Sequence, residues 1–183
     1  MKYILIFLLF LTSSQSVLSQ ESEFNFSAKG FTDYVVVECE KKTQSELYKK
    51  TLDWIAVTYN SPNAVLKSQI ENEYIRIEGS ATKLIGTGTK YQIEISFKEG
   101  KYKFDIIDIQ FWNEAENILF GYNEPYWKKF DIINTGKYFD KQGQIKNRYK
   151  DEWTRLTIYF NDLNLSLKNF VLSNQIPSKA KDW

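Results

Sequence analysis

The 183-residue sequence contains no histidine and a single cysteine, Cys39. Without imidazole there is no Ser-His-Asp or Cys-His machinery, no histidine acid–base catalysis, and none of the usual zinc or non-haem iron ligand sets. One thiol can neither close an intramolecular disulfide nor build a thiolate metal cluster. Cys39 is therefore expected to be a small buried hydrophobe. The aspartates lack the spacing of a calcium loop. Glycine is sparse, at eight residues, and no dinucleotide, P-loop or nucleophile-elbow pattern occurs. Gly86-Thr87-Gly88 has no following helix to supply amides to a phosphate, so it reads as a flexible connection. These absences lead to the expectation of a protein that is not an enzyme and holds no cofactor or metal.

A surplus of one charge sign is also missing. Lys and Arg number 24 and Asp and Glu 23. Nucleic-acid binding needs a basic excess or stripe, so no nucleic-acid partner is expected. A run of bilayer-spanning length is absent as well. Tyr3 to Leu11 is apolar throughout but only nine residues long. Lys2 precedes it, Thr12 to Ser16 is polar, and Val17-Leu18-Ser19 ends in a small residue. That succession predicts a secretory signal peptide over 1–19, cleaved after Ser19 or Gln20. Lys2 is the only charged residue it would remove. The protein is expected to be exported, periplasmic or extracellular, with no integral membrane segment after signal removal.

Aromatic residues, in contrast, make up 16% of the chain. Phe24 and Phe26 sit in a polar stretch, 20–30, expected to be a loosely docked arm. Phe31 to Glu40 alternates as a strand, with Val35, Val37 and Cys39 on its core face. Thr43 and Glu46 fit a capping box that opens a helix, and Pro62 disfavours its continuation, so it should close near Tyr59 or Asn60. Leu47, Tyr48, Leu52, Trp54, Ile55 and Tyr59 fall on an arc of about 160° at 100° per residue, wide enough to pack on a sheet. Ala64 to Ile70 and Tyr74 to Gly79 read as strands and Ser80 to Lys90 as a loop. Tyr91, Ile93, Ile95 and Phe97 alternate along the clearest strand. Glu99-Gly100 turns the chain, and Tyr102, Phe104 and Ile106 continue the inward face. The apolar phase then slips to Ile107, Ile109 and Phe111, which predicts a β-bulge or a strand end covered on both faces.

Phe111 to Phe139 holds nine aromatics in 29 residues without sustained periodicity, and Pro125 suggests a short helix through Phe130. From Gln144 to Ser173 the residues Tyr149, Trp153, Leu156, Phe160, Leu163, Leu167 and Phe170 recur at helical spacing. They form a stripe suited to crossing the sheet beside the first helix, or alternatively to a coiled-coil dimer. A single α+β domain over 31–173 follows. It is a two-layer domain with a curved antiparallel sheet of about five strands and two helices on one face, in the order β-α-β-β-β-β-α. An aromatic-rich insertion, 111–139, precedes the last helix, and 174–183 is a short tail.

Several of these residues carry a resemblance. Leu47-Tyr48, Asp53-Trp54-Ile55-Ala56 and Tyr59-Asn60-Ser61, the strand Tyr74 to Gly79, and the hairpin Ile93 to Tyr102 together resemble a secreted Bacteroidota family, the domain-of-unknown-function family 4468. The likeness spans about 65 of the 183 residues. It implies a TATA-binding-protein-like fold, of which the order above is one half. The family has no established activity, so the resemblance brings no catalytic residues, and a shared fold does not bring DNA binding with it.

The function expected is thus a non-catalytic, exported binding or interaction module for a protein or glycan ligand of the cell envelope. It is expected to be a monomer rather than a dimer. Trp112, Tyr122, Tyr126 and Trp127 are the candidate binding residues, because exposed Trp and Tyr bury large area at little entropic cost. Two alternatives stand. One is a carboxylate-dependent carbohydrate hydrolase using a pair among Asp105, Asp108, Glu114 and Glu116. The other is a structural envelope protein that self-associates through the long helix.

Overall fold

The computed structural model describes residues 23–114, 117–118, 121–122, 124–133 and 135–173; the expected signal peptide and the tail lie outside them, as does Glu116. In chain order the elements begin with β1 (Phe26–Ser27), β2 (Gly30–Phe31) and β3 (Tyr34–Glu38). Helix α1 (Gln44–Thr58) and the single turn α2 (Pro62–Val65) follow. Next come β4 (Leu66–Ile70), β5 (Tyr74–Thr82), β6 (Gly88–Lys98), β7 (Lys101–Asn113), β8 (Asn117–Ile118), β9 (Gly121–Tyr122) and β10 (Tyr126–Lys129), and the long helix α3 (Asn147–Leu172) ends the series.

Helix α1 starts and stops where local chemistry directs. The Glu46 amide donates to Thr43 Oγ1 at 3.2 Å, and the Thr43 amide donates to Glu46 Oε2 at 2.8 Å. Both halves of the capping box are therefore made, and they hold the Glu46 carboxyl below its ordinary pKa. Tyr59 leaves the helix in an extended conformation. Leu47, Tyr48, Trp54 and Ile55 are buried and Leu52 and Tyr59 partly so, as the arc requires. Thr51 is buried among them, its hydroxyl donating to Leu47 O at 2.8 Å. Pro62 does more than stop α1. At the first position of α2 its missing N–H costs nothing and its fixed φ suits a helix, so the strand expected from Ala64 begins only at Leu66.

Six strands form one antiparallel sheet in the order β10-β7-β6-β5-β4, with β3 also paired to β7. The long strand β7 thus has two neighbours on one flank. β3 pairs with Lys101 to Asp105, and β10 pairs with Gln110 to Asn113. The predicted bulge is present. Gln92 pairs with Asp108 and Ile93 with Ile106, which leaves Ile107 as the extra residue, 36% exposed between buried Ile106 and Ile109.

Both long helices pack on the face built by Ile75, Ile77, Tyr91, Ile93, Ile95, Phe97, Tyr102, Phe104 and Ile106. Trp54 Nε1 donates to Ser166 Oγ at 3.1 Å, joining α1 to α3, and Tyr102 donates to Asn164 Oδ1 at 2.9 Å, joining α3 to the sheet. The α3 stripe is consumed here, since Trp153, Leu156, Phe160 and Leu167 are fully buried against the sheet layer. It is not a free coiled-coil seam. Among the described residues no helix is long and apolar enough to cross a membrane.

Four expectations need correction. The stretch 80–90 is mostly strand, because β5 runs on to Thr82 and β6 begins at Gly88. The remaining connection is anchored by buried Leu84 and Ile85, and Thr89 Oγ1 exchanges hydrogen bonds with the Ile85 amide and carbonyl. The segment after Pro125 is a strand and not a helix, because the end of β7 offers it a full backbone ladder. The sheet accordingly has six strands where about five are expected. Finally, the arm is not loosely docked. Phe24, Phe26 and Phe31 are all buried. Phe26 stacks on Trp153 with ring centroids 3.2 Å apart, and Asn161 grips the Phe24 backbone through both its amide atoms, at 2.7 and 3.0 Å. Burying each such phenylalanine contributes about 1.5–3 kcal/mol, which offsets much of the cost of ordering the segment, about 1–2 kcal/mol per residue.

Candidate functional site

The sheet face opposite the helices carries charges of both signs, most of them paired with a neighbour across or along a strand. Arg76 meets Glu94 at 2.7 Å, and Lys67 meets Glu78 at 3.3 Å. Glu78 also accepts from Gln92 at 3.0 Å. Lys103 meets Asp105 at 2.8 Å. Asp108 accepts from Gln110 at 2.6 Å and meets Lys129 at 3.4 Å. Two of the carboxylates considered for hydrolysis, Asp105 and Asp108, are therefore engaged with cations on this face. Exposed pairs of this kind contribute little to stability individually. They set both signs side by side over the described part of this face.

The candidate aromatics divide between two faces. Trp112 and Trp127 are register partners with centroids 5.2 Å apart and edge-to-face rings, on the open side of the sheet. The Lys90 amine lies 4.1 Å from the Trp127 centroid. Tyr126 precedes Trp127 in a strand and so points to the other face, where it is 48% exposed. The Tyr122 side chain lies outside the described residues, although its backbone belongs to β9. Trp112 and Trp127 on one face and Tyr126 on the other do not form one patch.

On the helix side of the β7–β10 ladder lies a half-open cleft of about 410 Å³. Phe111, Phe130 and Tyr138 supply an apolar floor, with Tyr149 and Glu152 from the first turns of α3 and Lys128 from β10 at the margin. Glu114, Asp131 and Lys137 also border it. Phe130 packs edge-on to Phe111 and against Trp153, so the floor is continuous with the core. Lys137 stands 4.7 Å from the Tyr138 ring centroid, and burial pushes the Tyr138 hydroxyl above its ordinary pKa. Lys128, Tyr149 and Glu152 are not identifiable from sequence as cleft residues. Tyr149 opens the α3 stripe and carries the same signal as the core positions that follow. Only the placement of the insertion leaves it half-buried.

A second polar feature lies inside the fold. The hydroxyls of Tyr59, Tyr91 and Tyr159 form a chain, 3.3 and 2.7 Å between successive oxygens, linking the end of α1, the middle of β6 and α3. Desolvation raises all three pKa values, that of Tyr59 to about 12. Gly79, opposite Tyr91 on β5, makes space for it. A methyl group there would coincide with the Tyr91 ring and hydroxyl.

A two-layer domain in which two helices cover one face of an antiparallel sheet, with the other face open, is a TBP-like α+β fold. Residues 34–112 match the family described as a domain of unknown function (DUF4468) with TBP-like fold. The match runs from β3 to Trp112, so it takes in only the first two residues of the insertion and none of α3. Two solved structures share the fold. A DUF4468 family protein from Bacteroides ovatus superposes with a TM-score of 0.56 and 11% identity, over 85% of this chain and 94% of that one. A TBP-like protein from Parabacteroides distasonis gives 0.53 and 14%, over 78% and 92%. At these identities the likeness is one of fold. No curated protein matches the chain.

Proposed function

We propose that the protein is a non-catalytic, exported binding module that takes a protein or glycan ligand of the cell envelope into the cleft beside β10. The observation that carries this reading is the convergence of aromatic rings, Phe111 and Tyr149 among them half-exposed, with charges of both signs around a concavity of about 410 Å³. That volume lies in the range of small-ligand and peptide sites, which are mainly apolar with a few convergent polar groups. The cleft is built largely by the insertion and the start of α3, outside the segment that matches the family. It is therefore a feature added to a shared scaffold. The paired charges of the open sheet face favour a ligand other than nucleic acid. The absence of histidine from the whole sequence and the cation pairing of Asp105 and Asp108 favour binding over hydrolysis.

Calorimetric titration of the full chain with defined oligosaccharides and short peptides tests the reading. Tyr149→Ala and Lys128→Ala should each weaken whatever binding is found by about tenfold, or about 1.4 kcal/mol. Lys67→Ala, at the far edge of the sheet, should leave it unchanged. Equal binding by all three variants would remove the cleft from consideration.

A further inference from the structure

Strand β3 has one edge in use and one edge open. It pairs with β7 alone, and no other strand among the described residues adjoins it. The phase of its hydrogen bonds follows from the residue just beyond it. The Cys39 amide donates to Gly100 O at 2.7 Å, on the β7 side. Alternation then directs the amides and carbonyls of Val35 and Val37 to β7, and those of Tyr34, Val36 and Glu38 to the open edge. The side chains are divided as well. Val35 and Val37 are buried beneath the helices, while Tyr34 and Glu38 are exposed on the other face. Edge strands are commonly protected by proline, a bulge or an inward-pointing charge. The run Tyr-Val-Val-Val-Glu has none of these.

We propose that this edge is the interface between two copies of the chain, paired antiparallel about a two-fold axis at Val36. The strand is self-complementary in that register. Val36 meets Val36 with both of its outward groups, Tyr34 meets Glu38 of the second copy at each end, and about six main-chain hydrogen bonds form. On the buried face Val35 opposes Val37, both β-branched, so the two cores join without a gap in the pattern. On the open face no like charges oppose each other. Each Glu38 carboxylate comes beside a Tyr34 ring that already has the Lys103 amine 5.3 Å from its centroid. A one-residue shift would set outward-pointing groups against side-chain phases of the wrong face, and a two-residue shift keeps the phase but shortens the ladder, so the Val36 axis pairs the most residues. A dimer built this way joins two six-stranded sheets into one. The inference is independent of what the cleft binds, and it departs from the monomer expected from sequence.

Sedimentation velocity on the full chain should show a reversible dimer. Val36→Pro removes only an outward-facing N–H, which an edge strand tolerates, and should give a monomer with an unchanged circular dichroism spectrum. Val36→Cys provides an independent reading. Hydrogen-bonded antiparallel partners lie about 5.5 Å apart at Cα with side chains on one face, too far at Cβ for a relaxed disulfide but within reach of a short bifunctional maleimide, which should cross-link two chains through residue 36. A wild-type protein that stays monomeric up to its solubility limit overturns the proposal. So does a dimer that Val36→Pro leaves intact, or one that Val36→Cys fails to cross-link.

Discussion

Replacing Gly79 by alanine tests the packing account at its tightest point. Gly79 is a β5 residue with no left-handed backbone requirement, so conformational freedom does not explain it. Space does, because the added methyl would occupy the position of the Tyr91 ring and hydroxyl. Tyr91 is fully buried and cannot yield by turning toward solvent. Overpacking of this kind costs about 1–3 kcal/mol. Displacing the ring would also break its hydroxyl contacts with Tyr59 and Tyr159, at about 1 kcal/mol each. A total of about 3–5 kcal/mol is expected, read as a lower urea midpoint with an unchanged slope. The decisive comparison is Gly79→Ala in a Tyr91→Leu background. There the obstruction is gone, and alanine in a strand should be better than glycine by about 0.5–1 kcal/mol. The substitution would then change sign. A neutral Gly79→Ala in the wild-type protein, or an equal cost in both backgrounds, would refute the steric explanation.

The tyrosine chain predicts a loss of stability in alkali. Each hydroxyl keeps its proton in the folded state to a higher pH than in the unfolded chain, where tyrosine titrates near pH 10, so the unfolded state binds fewer protons above that point. Stability is therefore intact below about pH 10 and falls from there through about 12, the folded value of Tyr59, by about 1.4 kcal/mol per pH unit for each proton released on unfolding. Urea midpoints at pH 9, 10 and 11 should fall less steeply for Tyr59→Phe than for wild type; identical slopes would exclude Tyr59 from the network. Cys39 is fully buried, and burial pushes its thiol above the usual cysteine range. Native protein should react with a thiol reagent only as fast as it unfolds, and the unfolded chain should show one equivalent at once, whereas rapid native modification would contradict the assigned packing.

The parts of this fold that are legible in the sequence are those in which neighbours along the chain settle the outcome. The capping box of Thr43 and Glu46, the alternation from Tyr91 to Phe97 and the turn at Gly100 all act within a few residues. The parts that are not legible depend on a distant surface. Phe26 looks like a loop residue until Trp153 is placed beneath it, and Phe24 until Asn161, 137 positions away, clasps its backbone. Pro125 suits a helix start in isolation, and only the unpaired end of β7 makes a strand of the residues that follow. The cleft depends on the same placement.

One local signal nevertheless governs the candidate site. Along β7 the even-numbered residues Tyr102, Phe104 and Ile106 face the helices. Continued without interruption, that phase would send Trp112 into the core and Phe111 to the open face. The slip at Ile107 reverses the order. Phe111 turns inward to meet Phe130 and floor the cleft, while Trp112 turns outward to meet Trp127. Tyr126 and Trp127, adjacent in β10, are then divided by the strand's own alternation, so consecutive aromatics cannot serve one ligand surface. Removing Ile107 alone should therefore be tolerated, because Ile106, Asp108, Ile109, Gln110, Phe111 and Trp112 then alternate without a break and every ring keeps its face. Removing Ile107 and Asp108 together would reverse the phase, force Trp112 and Phe111 to exchange faces, and dismantle both the tryptophan pair and the cleft floor while leaving the β3–β7 ladder, which lies before the bulge, in register; a urea midpoint near wild type for the single deletion and far lower for the double checks this.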